Sequence, residues 1–320
     1  MPIRLQFCFV KAVFFIVGPT GTGKSKLAAD VAQEIGAEIV SADAFQIYDG
    51  LDLLTAKPDA TTFAKAPHHL IGVVPLHEEM SAEKFRRVAA RTIDEIHSRS
   101  NLAVVVGGSG LYVKALTHGL SSVPESDPTL RAKLNPTGIE DLRSQLIALD
   151  PRSARKIDAQ NRRRLVRAVE ICLLTGKAAW TQRTQWRSAA GVADTDRARS
   201  MTRGTFVFRD RDELYARINH RVKAMFENGV IEEVRAIGAI SSTASKMIGL
   251  SEVRELLAGR MSTLQCVATI QQATRRYAKR QLTWFRRQTS FEPLNLSLFS
   301  HNEAVKWILR RAQRSFAAQQ

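Results

Sequence analysis

The chain has 320 residues, of which 44% are hydrophobic, which is enough for one large or two smaller globular domains. It contains 47 Lys and Arg residues against 31 Asp and Glu residues, and the resulting net charge of +16 favours a polyanionic partner. No apolar run approaches the roughly 18 residues of a membrane span, so the composition excludes an integral helical membrane protein.

The first predicted elements are a buried strand over residues 12–17 and a helix over residues 24–35, joined by a glycine-rich turn. The turn matches G-x-x-x-x-G-K-[ST], the phosphate loop (P-loop), and consists of Gly18, Pro19, Thr20, Gly21, Thr22, Gly23, Lys24 and Ser25. In such a loop the backbone N–H groups and the helix N-terminus bind phosphate oxygens, and the lysine adds a positive charge. The motif therefore predicts binding of a diphosphate or triphosphate, with Ser25 as a ligand of Mg²⁺.

Strands and helices alternate through the first third of the chain. After the helix at 24–35, a strand is expected at 37–40, a helix at 83–98 and a strand at 102–106. This order predicts an α/β fold in which a parallel sheet is covered on both faces. Ligands of such sheets bind beyond the carboxyl ends of the strands. We therefore expect the P-loop, Asp43 and the turn at 107–110 to share one pocket.

Three prolines within residues 121–136 mark a boundary in the chain. Basic helices are predicted at 139–149 and 161–174, followed by a polar connection over 180–204. A strand at 205–208 then resumes the core, and helices follow at 211–228, 231–237, 251–257 and 264–287. The predicted organisation is a P-loop core of residues 1–120 and 201–320, interrupted by a helical insertion of residues 121–200.

The three cysteines, Cys8, Cys172 and Cys266, lack the spacing of a metal site and cannot all pair. They are interpreted as buried, reduced residues, which is typical of a cytoplasmic protein. We expect a monomer, because one core and one insertion are sufficient to enclose one polyanionic partner.

Five further segments together resemble the tRNA dimethylallyltransferases. They are residues 41–48 (SADAFQIY), 51–58 (LDLLTAKP), 67–71 (PHHLI), 106–112 (VGGSGLY) and 274–285 (TRRYAKRQLTWF). The resemblance implies transfer of the dimethylallyl group of dimethylallyl diphosphate to N6 of the adenine on the 3′ side of the tRNA anticodon (tRNA position 37). It also implies a P-loop NTPase-like fold in which the loop holds a leaving diphosphate instead of a nucleotide, with Mg²⁺ as the cofactor.

Roles for individual residues follow from the same resemblance. Asp43 is expected to accept the proton of the attacking amine. Lys24, Ser109 and Arg217 are expected to stabilise the departing diphosphate, with Arg221 as the alternative to Arg217. The residues expected to bind the anticodon arm of tRNA are Asp43, Ala44, Phe45, Gln46, Arg163, Arg164, Leu165, Val166, Arg167, Lys246, Gly249, Arg276, Lys279, Arg280 and Gln281.

Several of these residues also have a simpler interpretation. Asp43 after a strand could cap a helix or bind Mg²⁺ in an ordinary nucleotidase, and Ser109 could cap the helix that follows it. The arginines of residues 162–167 could form a solvated helix face. The chain also departs from the family pattern at Ala44, where the family has Ser, and at Leu250, where it has Tyr.

Three other functions remain open on the sequence. An adenylate prenyltransferase would use the same chemistry but would not need a basic insertion of about 80 residues. A P-loop kinase of small metabolites would be expected to have an Asp after the strand at 102–106, where this chain has Gly107 and Gly108. A non-catalytic RNA-binding protein would not require Asp43 and Lys24 in one pocket.

Overall fold

A computed structural model of the chain describes residues 13–120, 123–183 and 203–317. Within these ranges the core is a six-stranded sheet in which every pair of neighbouring strands is parallel. The strands are β1 (Val13–Val17), β2 (Ala37–Ser41), β3 (His68–His69), β4 (Leu102–Gly107), β5 (Arg203–Phe208) and β6 (Glu292–Asn295). Their order across the sheet is β3-β2-β4-β1-β5-β6, and the predicted α/β class is confirmed.

The central strands are buried on both faces, as their continuous apolar sequences predict. Along β1, Phe15 and Val17 belong to one hydrophobic core, whereas Phe14 and Ile16 belong to another. The two cores lie on opposite sides of the sheet because successive side chains of a strand point to opposite faces.

Helices cover both cores. Those of the P-loop unit are α1 (Lys24–Ile35), α2 (Asp52–Thr55), α3 (Ala60–Phe63), α4 (Ala82–Ser98), α5 (Gly110–His118), α11 (Arg211–Glu227), α12 (Val230–Arg235), α13 (Leu250–Leu257), α14 (Thr263–Gln288) and α15 (His301–Ala317), with a 3₁₀ turn at Ala244–Lys246. The sequence analysis did not identify β6 or α15. Helix α15 packs on the same core as α1, through Ala304, Ile308 and Ala312.

The chain divides into two compact units. The P-loop unit is formed by Met1–Thr117 and Asp196–Gln320, and the second unit, the insertion, by His118–Thr195. The second unit contains α6 (Pro128–Leu134), α7 (Ile139–Leu149), α8 (Pro151–Lys156), α9 (Arg162–Thr175) and α10 (Ala179–Arg183). Most of the predicted connection over 180–204 lies outside the described residues, as does Cys8.

The second unit has its own hydrophobic core, which includes Leu142, Leu146 and Leu165. The carboxylate of Glu170 is completely buried beside this core. It accepts a hydrogen bond from Arg131 Nε at 3.0 Å and one from Arg167 Nη1 at 2.5 Å. The two cations compensate the cost of burying the carboxylate.

Candidate active site

The P-loop joins β1 to α1, and three of its positions require glycine for steric reasons. Gly21 and Gly23 have φ angles of 84° and 88°, in the left-handed region that favours glycine. A Cβ on Gly18 would lie 2.1 Å from the carbonyl oxygen of Val207 on β5. Helix α1 has no acidic residue in its first turn and no side-chain N-cap. The N–H groups at its start are therefore available to an anion.

Three arginines of the segment after β5 hold the P-loop from outside. Arg209 Nε donates to the carbonyl oxygen of Thr22 at 2.9 Å, and Arg217 Nε donates to that of Gly21 at 2.9 Å. Arg221 Nη1 donates to Thr20 Oγ1 at 2.9 Å. The sequence analysis did not identify Arg209, which forms an ordinary i,i+4 ion pair with Glu213 along the chain.

Lys24 and Arg221 bring two positive charges beside Asp43. Burial lowers the pKa of Lys24 to about 8, although Asp43 acts in the opposite direction and Arg221 lowers the pKa further. Burial also lowers the pKa of Arg221, again opposed by Asp43. The Nε atom of Arg221 is buried and has no hydrogen-bond partner among the described residues. An anion bound here would interact strongly with two cations that have already lost their hydration.

Asp43 follows β2 and closes a tight turn. Its Oδ1 atom accepts hydrogen bonds from the backbone N–H groups of Phe45 at 3.0 Å and Gln46 at 3.3 Å. Ser109 Oγ accepts from the N–H of Ala44 at 2.8 Å, so the turn after β4 supports the turn after β2. Ser109 is buried. Asp43 therefore makes hydrogen bonds of the capping kind that the sequence analysis gave as its simpler role, and both are made through Oδ1.

Helix α14 brings Tyr277, Gln281 and Trp284 to the same loops. The Tyr277 hydroxyl interacts with Ser109, and burial together with the charge of Asp43 raises its pKa. Gln281 bonds to both Thr20 and Gly108. A Cβ on Gly110 would lie 2.5 Å from the ring of Trp284, so the ring packs directly against this glycine. Sequence reasoning assigned no role to Tyr277 or Trp284, since the approach of α14 to these loops is a tertiary contact.

A cavity of about 590 Å³ opens between these loops and α11. Its lining includes Lys24, Ser25, Asp43, Arg217 and Arg221. Of the predicted diphosphate-binding residues, the cavity is lined by Thr20, Gly21, Gly23, Lys24 and Ser25. Asp43 and both arginine candidates also line it. Ser109 does not line this cavity but supports the turn that carries Asp43.

A narrower cavity shares Thr20, Asp43, Thr55 and Arg221 with the larger one. The rest of its lining is mostly apolar and consists of Phe45, Leu54, Val222, Met225, Met247, Ile248, Ile270, Thr274 and Tyr277. The arrangement provides an apolar space directly beside a cationic one.

The residues of the P-loop unit expected to bind RNA occupy different environments. Arg276, Lys279 and Arg280 are exposed on α14, and Lys246 is exposed in the 3₁₀ turn, whereas Gln281 is buried. Gln46 lines the larger cavity and donates to the carbonyl oxygens of Thr55 and Ala56. Gly249 has a φ of 98°, and a Cβ there would lie 2.8 Å from Leu54.

In the insertion, the five candidate residues of α9 also occupy different environments. Arg163 and Arg164 are exposed. Leu165 and Val166 are part of the hydrophobic core of the unit, and Arg167 pairs with Glu170. The helix therefore presents two of the five side chains to solvent.

Among the described residues, no group of three or more His, Cys, Asp and Glu side chains could hold a metal ion. Mg²⁺ at a P-loop is usually bound by few protein ligands together with substrate phosphates and water. Ser25 and Asp43 line the same cavity and offer oxygen atoms, so the site fits a Mg²⁺ ion of this kind.

Comparison with known proteins identifies the family. A model described as IPP transferase matches residues 46–288, about three quarters of the chain. The chain belongs to the IPP transferase family. Within this family, a tRNA dimethylallyltransferase of Akkermansia muciniphila is 39% identical over 274 residues, covering 86% of this chain and 90% of that protein. The tRNA dimethylallyltransferase 1 of Citrifermentans bemidjiense is 41% identical over 277 residues, covering 85% and 88%.

Solved structures of family members share the fold. The tRNA isopentenylpyrophosphate transferase of Bacillus halodurans is 31% identical, with a TM-score of 0.69 and coverage of 97% of this chain and 98% of that one. A eukaryotic dimethylallyltransferase acting on tRNA superposes with a TM-score of 0.73 at 24% identity, covering 96% and 78%. Both comparisons confirm the predicted P-loop-like architecture of the IPP transferases.

Proposed function

We propose that this chain transfers the dimethylallyl group of dimethylallyl diphosphate to N6 of the adenine on the 3′ side of the tRNA anticodon, releasing diphosphate. One observation carries the proposal: the phosphate-binding end of the P-loop, including Lys24 and Ser25, and the acidic side chain of Asp43 line the same cavity. Phosphate binding and proton acceptance can therefore occur side by side. The names of the family relatives described above point to the same reaction.

The chemistry gives each side chain of the cavity a role. A bond forms between N6 and the allylic carbon, and the carbon–oxygen bond to the diphosphate breaks with its electron pair leaving on oxygen. The exocyclic amine is a weak nucleophile, and Asp43 accepts the proton that it loses. Lys24, Arg217 and Arg221 stabilise the negative charge that develops on the leaving diphosphate.

The two cavities match the two halves of the donor substrate. The P-loop, Lys24 and the arginines suit the diphosphate, and the narrower cavity with Leu54, Met225 and Met247 suits a short branched hydrocarbon. Ser25 would hold a Mg²⁺ ion at the diphosphate. When bound, the ion would neutralise part of the phosphate charge.

The proposed partner is the anticodon arm of tRNA. The exposed cations of α14 and of α9 supply candidate phosphate contacts, and the target adenine must leave its stack to reach Asp43. The relatives described above have tRNA in their names, which disfavours free AMP as the acceptor. No described helix is both long enough and apolar enough to cross a membrane.

A direct assay tests the proposal. Radiolabelled dimethylallyl diphosphate is offered with unmodified tRNA, with AMP and with a panel of small phosphate acceptors. We expect label to appear in tRNA at the adenine beside the anticodon. Label in AMP alone would indicate an adenylate prenyltransferase, and phosphate transfer from ATP to a metabolite would indicate a kinase.

A further inference from the structure

Gln281 lies on the buried face of α14, with 5% of its surface exposed, and uses both ends of its amide. Its Oε1 atom accepts a hydrogen bond from the N–H of Thr20 at 2.9 Å. Its Nε2 atom donates to the carbonyl oxygen of Gly108 at 2.8 Å. Thr20 belongs to the P-loop, and Gly108 precedes Ser109. One side chain therefore joins the two loops that surround the candidate active site.

The approach of Gln281 is close enough to restrict its neighbours. A Cβ on Gly108 would lie 2.4 Å from Gln281 Nε2, so no other residue type fits there without displacing the amide. On the other side of the P-loop, Arg221 donates to Thr20 Oγ1. Thr20 is thus held through its main chain by α14 and through its side chain by α11.

We propose that Gln281 is a positioning residue of the diphosphate site, which keeps the P-loop and the Ser109 turn in a fixed relative position. The inference rests on the proposed function, because it takes the ligand of the P-loop to be a diphosphate. Its two amide bonds already engage protein atoms, so Gln281 acts through Thr20 and Gly108 and does not contact RNA. Without it, the partly buried N–H of Thr20 and the buried carbonyl of Gly108 would lose their partners, and the loop amides would no longer be held ready for the ligand.

The first test replaces Gln281 by Met, which keeps the length of the side chain and removes both hydrogen bonds to the loops, together with the contact to the Tyr277 hydroxyl. Binding of inorganic diphosphate with Mg²⁺ to the full chain is measured by calorimetry without RNA. We expect affinity to fall about 10-fold, in line with the removal of one buried and one partly buried hydrogen bond. With dimethylallyl diphosphate and tRNA, kcat should fall while the KM for tRNA stays within about 2-fold.

The matched control is Gln288→Met, the same substitution at the exposed end of the same helix, where the side chain accepts from Lys114 Nζ at 3.3 Å. It should leave diphosphate affinity and kcat unchanged. Circular dichroism and thermal unfolding establish that each variant is folded. A folded Gln281→Met protein with normal diphosphate affinity and a raised KM for tRNA would overturn the inference in favour of direct RNA contact.

A second test uses the clash at Gly108. Gly108→Ala should push the Gln281 amide away and weaken diphosphate binding. In a Gln281→Ala background the same change should have a smaller effect, because the contact at 2.4 Å is gone and the Gly18 carbonyl oxygen, at 3.1 Å from the added Cβ, is the tight contact that persists. This non-additivity is the expected signature of two residues in direct contact. Additive effects of the two substitutions on diphosphate affinity would refute the proposed positioning role of Gln281. If the wild-type chain fails to prenylate RNA, the proposed function fails, but diphosphate binding in these variants still decides the role of Gln281.

Discussion

At the scale of single residues, Asp43 offers the sharpest test of the mechanism. Asp43→Asn keeps an oxygen that can accept from the N–H groups of Phe45 and Gln46, so the turn should be preserved. The amide cannot accept a proton at neutral pH, and turnover should fall by at least about 10²-fold. Single-turnover kinetics measure this decrease, and diphosphate calorimetry serves as the control. Near-normal turnover would remove Asp43 from the reaction.

Lys24 should give diphosphate binding a pH dependence. Its pKa is lowered to about 8, so the side chain is mostly charged at pH 7 and loses its proton as the pH rises through about 8. Diphosphate affinity should therefore decline between about pH 7 and pH 9. In Lys24→Arg the cation persists at all these pH values, and this decline should be flatter. Calorimetry of both proteins across the pH range makes the comparison, and parallel curves would contradict the assignment.

At the scale of secondary-structure elements, a hydrogen bond joins the turn after β2 to the turn after β4. Ser109→Ala removes the acceptor of the Ala44 N–H, which should let the Asp43 turn shift and lower kcat about 10-fold. Ser109→Thr keeps the hydroxyl and should be close to wild type. Steady-state kinetics of both variants separate hydrogen bonding from packing. An equal decrease in the Ala and Thr variants would indicate that the site is sensitive only to volume.

Substitutions at different arginines of α9 should affect either tRNA binding or folding stability. Arg163→Ala with Arg164→Ala removes two exposed cations, so tRNA affinity should fall while the melting temperature stays unchanged. Arg167→Ala instead leaves the buried Glu170 carboxylate with Arg131 as its remaining guanidinium partner, and the loss of one charged hydrogen bond should cost roughly 2 kcal/mol in unfolding free energy. Filter binding and thermal unfolding measure the two effects. Unchanged tRNA affinity in the double variant would identify α9 as a solvated face.

At the scale of the whole molecule, the net charge of +16 predicts strong salt dependence of tRNA binding. Replacing Arg276, Lys279 and Arg280 by Ala should reduce the slope of log affinity against log salt by about 0.7–0.9 for each RNA phosphate that is no longer neutralised. Diphosphate binding, measured in parallel, should change little because these side chains are exposed and outside the cavity lining. An unchanged slope would place the RNA elsewhere on the chain.

The sequence by itself determined the elements whose signals are local. The P-loop, the buried strands β1, β2 and β4, and the long helices α1, α4 and α14 follow from motif and periodicity. The parallel order then directed the loops after these strands to one edge of the sheet. Strand β6 was missed because it has four residues and contains Pro293, so neither its length nor its composition indicates a strand.

Only the tertiary structure decided which side chains of a motif reach solvent, the cavity or the core. Leu165, Val166 and Arg167 were all expected to bind tRNA as parts of one basic segment, but the packing of α9 buries the first two and pairs the third with Glu170. Gln281 follows exposed cations in sequence, yet helical geometry turns it inward by about 100° from Arg280, toward Thr20 and Gly108. Contacts between residues far apart in the chain leave no local pattern, because they depend on how complete elements pack against one another.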